Sequence, residues 1–307
     1  MNMKISKSAV LLALTTALIS GVANFVNKLA VTGFSNPVLF TTIKNSLVAI
    51  FILGIFIVFK RWSEIKTFRA KQWAQLALIG AVGGALPFAL FFTGLAQTSA
   101  INGALIHKTL FLFVAFLAIF FLKERLVWQQ WFGIGIIFAA NLFVGGFTGF
   151  KFNTGELLIL VATILWAIEN IIAKKVLADI SSLTVAGARM VFGAILLAGY
   201  LSLTGGFGEA AKLSGANWGW ILLTAVLLVG YVLTWYAALK RAAATYVAAL
   251  LVPATLVTNI LSALFITRSF SISNLATTIL YVGGISLVIY YSQLTFKKCE
   301  PQLMHGS

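Results

Sequence analysis

The fold is decided by residues 110–122, which read LFLFVAFLAIFFL and contain no polar side chain. As a helix this stretch is apolar on every face, whereas a strand of an outer-membrane barrel would alternate polar and apolar residues. Helix-length apolar runs recur near residues 8–32, 36–59, 71–93, 98–121, 127–147, 155–175, 182–204, 216–238, 243–266 and 272–294. One bilayer crossing takes about 20 residues. The sequence therefore predicts an all-α integral membrane protein with ten transmembrane helices.

The composition excludes an ordinary soluble enzyme. Of the 307 residues, 61% are hydrophobic and 9% charged, whereas soluble domains average about 45–50% apolar and about 25% charged residues. Ten crossings of about 20 residues leave roughly 107 residues outside them, so no loop is large enough for a catalytic domain. The chain has one cysteine and two histidines, and it lacks the Gly-rich motif that binds ATP. We expect neither an enzyme nor a metal, cofactor or disulfide.

The positive charges predict the orientation of the chain. Placing the N-terminus inside puts 15 of the 22 Lys and Arg residues on inner segments and 4 on outer ones. Cytoplasmic loops retain positive charge, so both termini are predicted to be cytoplasmic, in a plasma or inner membrane. The net charge of +15 then indicates contact with anionic membrane lipids, and we expect no nucleic-acid partner.

The two halves of the chain resemble each other. Setting Asn24 against Asn170 aligns the first helix with the sixth, and a similar offset sets residues 95–97 (LAQ) against residues 239–241 (LKR). The predicted copies are residues 1–150 and 151–307, each with five helices. Because five is odd, the second copy must enter the membrane from the opposite side, and in such proteins the site lies near the midplane between the copies.

Three segments carry a resemblance to a known family: residues 24–28 (NFVNK), residues 95–100 (LAQTSA) and residues 121–126 (FLKERL). With the two five-helix copies, they resemble the EamA-type ten-helix proteins of the drug/metabolite transporter superfamily. The resemblance implies solute transport by alternating access without ATP hydrolysis. The second copy reads Thr267-Arg268-Ser269 where the first has Lys123-Glu124-Arg125, so we expect no symmetric role for Glu124.

Four ionisable residues fall inside the predicted helices: Lys44, Lys108, Glu169 and Arg189. Each costs about 2.5–3.5 kcal/mol at the bilayer centre, so each needs a reason to be there. Lys44 lies about 12 Å and Lys108 about 15 Å from the outer end of its predicted helix, and we expect both to line the cavity. Glu169 and Arg189 lie at similar depth and can pair, either as a structural ion pair or as a gate or coupling site. The excess of cations favours a solute that bears a negative charge.

Uncharged residues complete the predicted site. Asn24 and Asn170 recur in both copies, so we expect them in the cavity. Trp235 could stack on a flat solute or belong to an interfacial aromatic belt. His107 points about 100° away from Lys108, which favours a satisfied histidine in the core or at the lipid interface. Pro87 and Pro253 interrupt helices and are candidate hinges.

These observations predict a secondary-active transporter, an exporter or exchanger of small organic metabolites such as amino acids, with proton or counter-substrate coupling as an option. Its partners would be a small-molecule solute and membrane lipids. Two alternatives stay open: an exchanger of sugar phosphates or other organic anions, and a lipid-handling or structural membrane protein without solute flux.

Overall fold

The computed structural model describes residues 6–124, 126–143, 149–268 and 272–299, and this part of the chain is helical without a strand. Arg125 and Ser269, quoted above, lie outside these ranges. Ten long helical segments follow one another: α1 (Lys7–Val31), α2 (Pro37–Val58), α3 (Ala70–Ala96), α4 (Ala100–Phe121), α5 (Trp128–Leu142), α6 (Thr154–Val176), α7 (Ser182–Thr204), α8 (Gly215–Arg241), α9 (Ala244–Ile266) and α10 (Ile272–Cys299).

Within the described residues, eight of these helices are long and apolar enough to cross a membrane. The other two are α5, which has 15 residues, and α10, whose apolar part is Ala276–Tyr291. At 1.5 Å per residue α5 is about 22 Å long, which is short for a hydrocarbon core of about 30 Å. The all-α membrane fold is confirmed, and the crossings by α5 and α10 stay a prediction.

Short polar side chains begin most of the long helices. Their oxygen atoms accept hydrogen bonds from backbone N–H groups of the first turn, which have no partner inside the helix. These capping residues are Ser6, Asn36, Ser99, Asn153, Ser181 and Ser214. The start of each of these helices therefore coincides with a single polar residue that precedes an apolar run.

The direction of each helix follows from the contacts at its ends. We call the face at which α1 begins the near face and the opposite one the far face. Lys28, near the end of α1, donates to the carbonyl oxygen of Leu95 at 2.9 Å, so α3 also ends at the far face. Asn102, near the start of α4, donates to Glu156 at 2.7 Å near the start of α6. The first helices of the two copies thus run in opposite directions, as predicted.

A second lysine repeats the contact of Lys28 at the near face. Lys174, at the end of α6, donates to the carbonyl oxygens of Leu239 and Ala242, both at 2.7 Å. The alignment of Asn24 with Asn170 also sets Lys28 against Lys174. Each copy therefore ties the end of its first helix to the end of its third, and the two ties lie at opposite faces.

Helices of the two copies interleave. α1 packs mainly on α8 and α9, and α6 packs in the same way on α3 and α4. The related helices α2 and α7, α4 and α9, and α5 and α10 also contact each other. This exchange is the pattern that a two-fold axis between inverted copies produces.

Three helices are interrupted. α4 is broken at Thr109, between Ala100–Lys108 and Leu110–Phe121, and α9 is broken at residues 251–253, between Ala244–Leu250 and Ala254–Ser262. Thr109 and Pro253 correspond in the alignment, so both copies break at the same place. In α3 a π-helical turn, Gly80–Ala85, directly precedes Leu86 and Pro87. The two prolines lie at these breaks, and their role as hinges stays a prediction.

Glycine allows α3 to approach α7 very closely. A Cβ atom on Gly84 would lie 2.0 Å from the carbonyl oxygen of Arg189, and one on Gly193 would lie 2.5 Å from the Gly84 carbonyl carbon. Non-bonded atoms do not approach this closely, so these two positions require glycine. The contact sets the depth at which the π-helical turn of α3 meets Arg189.

Two glutamates bind the starts of helices at the near face. Glu124 accepts from the backbone N–H groups of Ala244 and Thr245, at 2.7 and 3.1 Å, so a residue of the first copy holds the start of α9 in the second. Glu64, in the short helix Trp62–Lys66, binds in the same way at the start of α7. Negative charge is favourable at a helix N-terminus.

The environment of Glu64 shifts its titration. Ser181 donates to it through its backbone N–H at 2.7 Å and through its hydroxyl at 2.8 Å, and Thr184 donates at 2.8 Å. Partial burial on its own would raise the pKa of Glu64, but these hydrogen bonds and the charge of Arg61 outweigh it and lower the pKa below its usual value.

Candidate solute-binding cavity

A polar cavity lies between the two copies. The space between the lining side chains, including the part open to solvent, is about 630 Å³. Helices α1 to α4 of the first copy and α6 to α8 of the second line it. Of the predicted site residues, Lys44, Asn24, Asn170, Trp235 and Arg189 line this cavity. The breaks in α3 and α4 lie next to it, because Phe88 and His107 are also in its wall.

Lys44 is buried in an aromatic cage. Only 1% of its surface is exposed, and its Nζ atom lies 3.6 Å from the ring centre of Phe92 and 4.9 Å from that of Phe40. Its hydrogen bond to Asn27 Oδ1 is 3.3 Å long. Aromatic faces attract a cation but give it no hydrogen-bond acceptor. The ammonium group is thus held at the cavity without an anionic partner among the described residues.

Arg189 and Glu169 are brought together, as their depth suggested. Their closest charged atoms, Nη1 and Oε2, are 4.0 Å apart, and both residues are buried. Arg189 also donates to the Gly83 carbonyl oxygen at 3.1 Å, and Tyr236 donates to Glu169 Oε1 at 2.5 Å. Arg189 lines the cavity, whereas Glu169 lies behind it. The arrangement balances one of the cavity's cations.

Lys108 differs from its prediction. It does not line the cavity, because its side chain turns to α1, where Nζ lies 2.7 Å from Ser20 Oγ. Ser20 does line the cavity, so the ammonium group is one side chain removed from it. At 1% exposure Lys108 has no path to water by snorkelling along its helix.

His107 takes the place expected for Lys108. The histidine is buried, as the prediction of a core position had it, but it is not satisfied, since its ring lines the cavity and its Nδ1 atom has no hydrogen bond among the described residues. The ring lies 4.9 Å from that of Trp166 and 5.3 Å from that of Phe91. The two side chains do point in different directions, as expected from the roughly 100° between them. The histidine faces the cavity, however, and the lysine points away from it.

Asn170 and Trp235 form a joined pair. Asn170 accepts from Trp235 Nε1 at 2.8 Å and donates to the Trp166 carbonyl oxygen, also at 2.8 Å. Trp235 is 1% exposed and stacks on Tyr231 with the two ring planes 6° apart. This burial contradicts the interfacial belt as a reading of Trp235. The two rings form a flat apolar wall.

Sequence reasoning missed Ser20, and helical spacing was the available signal. Ser20, Asn24 and Asn27 are four and three residues apart, so they form one polar stripe along the otherwise apolar α1. All three line the cavity. The cage around Lys44 gave no such signal, because phenylalanines are frequent throughout the chain.

Among the described residues, no group of three His, Cys, Asp or Glu side chains could hold a metal ion. The polar groups of the cavity wall are instead one lysine, one arginine, one imidazole, two indole N–H groups, three asparagine amides and the hydroxyl groups of Ser20, Thr224 and Tyr231. Such a set can bind carboxylate or another oxygen-rich anionic group.

Two curated relatives are named transporters. Over 201 residues, 63% of this chain and 65% of the relative, the sequence is 29% identical to "Uncharacterized transporter YyaM" of Bacillus subtilis (strain 168). Over 237 residues, 74% of this chain and 66% of the relative, it is 26% identical to an uncharacterized transporter of Synechocystis sp.. The matched part thus spans just under two thirds of the length of these relatives.

The fold also matches a solved structure. A crystal structure of a protein superposes with a TM-score of 0.75 over 94% of this chain and 99% of the other, at 18% identity. The model of the EamA-like transporter family matches twice, over residues 7–146 and residues 153–290. The two matches of the family model cover most of the chain, and together with the long apolar helices they establish that it is a multi-pass membrane protein of the EamA-like transporter family.

Proposed function

We propose that this protein is a secondary-active transporter of a small organic metabolite with a negatively charged group, such as an amino acid, which it exports or exchanges. The observation that carries the proposal is one cavity between inverted copies with a cation from each copy in its wall, Lys44 and Arg189. Arg189 has Glu169 as its counter-charge, whereas Lys44 has none among the described residues. A buried charge without a partner is costly, and a bound anionic group would offset that cost.

Alternating access around this cavity is part of the proposal. The site lies where α1 meets α8 and where α3 meets α6, so relative motion of the interleaved helices would open it to one face at a time. The related breaks of α4 at Thr109 and α9 at Pro253 supply points at which helices can bend without losing regular hydrogen bonds elsewhere. Coupling to protons or to a counter-substrate would then depend on the solute.

Reconstituted protein tests the proposal. Liposomes that contain the purified chain and an unlabelled metabolite inside should accumulate the same labelled metabolite from outside, with saturation. The panel contains amino acids, organic acids and sugar phosphates. Lys44→Met should reduce the transport rate at low solute concentration roughly tenfold to hundredfold, the value of one charge-assisted contact of about 1.5–3 kcal/mol. Lys71→Met, at an exposed residue of the near face, serves as the matched control.

The outcomes separate the candidate functions. Removal of an unpaired buried charge should leave the melting temperature of Lys44→Met equal to or above that of the wild type, so lost transport would not reflect lost folding. Absence of saturable flux for the whole panel, with melting temperatures that respond to lipids alone, would instead support a lipid-handling or structural protein. Normal transport by Lys44→Met would exclude the unpaired cation as the binding group.

A further inference from the structure

The two aligned asparagines have different surroundings. In the second copy, Asn170 is fixed by two hydrogen bonds, one from the indole N–H of Trp235 and one to the carbonyl oxygen of Trp166. In the first copy, Asn24 is only 6% exposed, and its Nδ2 atom is buried without a hydrogen-bond partner among the described residues. A buried donor without a partner costs about 1–3 kcal/mol.

The sequence explains the difference. The offset that sets Leu95 against Leu239 places Phe91 where the second copy has Trp235. Phenylalanine has no N–H group, so the hydrogen bond that fixes Asn170 has no equivalent at Asn24. The first copy therefore has the amide but lacks the group that fixes it in the second copy.

Asn24 lies between two cations along α1. One turn earlier, Ser20 Oγ accepts from Lys108 at 2.7 Å, and one turn later, Asn27 Oδ1 accepts from Lys44 at 3.3 Å. The rise of a helix puts Ser20 about 6 Å and Asn27 about 4.5 Å from Asn24 along the axis. The unpartnered amide thus occupies the centre of a stripe with an ammonium group at each end.

The stripe has an excess of donors. Each ammonium group carries three N–H bonds, and each makes one hydrogen bond to the described residues. Asn24 adds its amide, and the described wall of the cavity contains no Asp or Glu. The stacked rings of Tyr231 and Trp235 also line the cavity. A carboxylate at Asn24 and an apolar or aromatic body against these rings would match both walls.

We propose that Asn24, flanked by Lys44 and Lys108, binds the carboxylate of the solute. Asn170 holds Trp235 in place and does not bind the carboxylate. This inference rests on the proposed function and assigns the site of recognition to the first copy. The carboxylate is the recognised group, because the described wall offers no acid to pair with an ammonium group of the solute. The asymmetry between the copies thus divides one repeated residue into a binding and a positioning role.

Three probes of one shape test the chemistry: 3-phenylpropionate, phenylalanine and 2-phenylethylamine. We expect the first two to raise the melting temperature of the wild-type protein in a saturable manner and the amine to leave it unchanged. Equal stabilisation by the amine would overturn the assignment of the carboxylate.

Two matched variants test the division of roles. Asn24→Leu removes the unpartnered donor, so its melting temperature without probe should equal or exceed that of the wild type, while the half-saturating 3-phenylpropionate concentration should rise at least tenfold. Asn170→Leu leaves the Trp235 N–H unpaired, so it should melt earlier than the wild type, and it should raise the half-saturating concentration less than Asn24→Leu does. If Asn170→Leu does not fold, Trp235→Phe removes the N–H together with part of the ring and should also lower the melting temperature. The measurement on Asn24→Leu then decides the inference. Unchanged affinity in Asn24→Leu, or equal destabilisation by both variants, would overturn the inference.

Transport measured on the same samples separates the two proposals. Transport by Asn24→Leu at the wild-type rate and with an unchanged KM would overturn the inference and leave the transport function standing. Probe binding that depends on Asn24, without flux for any solute, would leave the carboxylate site standing and overturn the transport function.

Discussion

Alanine at Gly84 tests the closest contact in the molecule. The added Cβ would lie 2.0 Å from the Arg189 carbonyl oxygen and 3.0 Å from Gly193 Cα, and both neighbours are backbone atoms that no rotamer change can move. Contact becomes ordinary only at 3.4 Å, so α3 and α7 would have to separate locally by about 1.4 Å. Overpacking of this kind costs about 1–3 kcal/mol, and the rigid neighbour places Gly84→Ala at the upper end, about 3 kcal/mol.

The control is the same substitution where space is open. A Cβ on Gly54 in α2 would meet nothing within 4 Å, so Gly54→Ala should stabilise its helix by about 0.5–1 kcal/mol. Thermal unfolding of the purified proteins in one detergent should rank them Gly54→Ala, wild type, Gly84→Ala, with transport reduced only in the last, since the separation also displaces Arg189. Equal melting temperatures for the two variants would refute the close crossing of α3 and α7.

Three further perturbations have definite signs. Because the pKa of Glu64 is lowered in the folded protein, its stabilising contribution is complete above its unfolded-state pKa and disappears as the pH falls through the lowered value; Glu64→Gln should flatten the acid limb of the melting temperature against pH. Lys174→Met removes two hydrogen bonds to carbonyl groups and should cost about 1–2 kcal/mol in unfolding titrations, whereas Lys175→Met at its exposed neighbour should leave the curve unchanged. Glu169→Gln leaves the buried Arg189 without its counter-charge and should lower the free energy of unfolding by about 3 kcal/mol. The double variant Glu169→Gln/Arg189→Met should recover part of this loss in the same assay.

The helices and their inversion could be predicted from the sequence because they depend on hydrophobicity and on an odd number of crossings. Residues 110–121 lie within α4, and the alignment of Asn24 with Asn170 brought the two first helices into correspondence. The predicted apolar run of residues 127–147 contains α5, which ends at Leu142, and residues 144–147 of that run lie outside the described ranges. Hydropathy measures composition and does not detect where a helix stops.

The side-chain directions at the site could not be predicted, because they depend on how each helix is rotated about its axis against its neighbours. Lys108 and His107 exchange their expected places because helical spacing gives the angle between the two side chains but not which of them faces the cavity. The pairing of Glu169 with Arg189 was accessible, since depth along a helix requires only the rise per residue. The fixing of Asn170 by Trp235 required knowledge of how α6 meets α8, which a single sequence does not contain.

The interleaving of the helices has a consequence for how the molecule could be divided. Each copy sends its first helix into the other, as in a domain-swapped dimer whose two subunits have been joined into one chain. A single copy on its own would leave the polar stripe of α1, or the Asn170 and Glu169 face of α6, turned toward lipid. The two halves, produced as separate polypeptides, should therefore complement each other only when they are made in the same membrane.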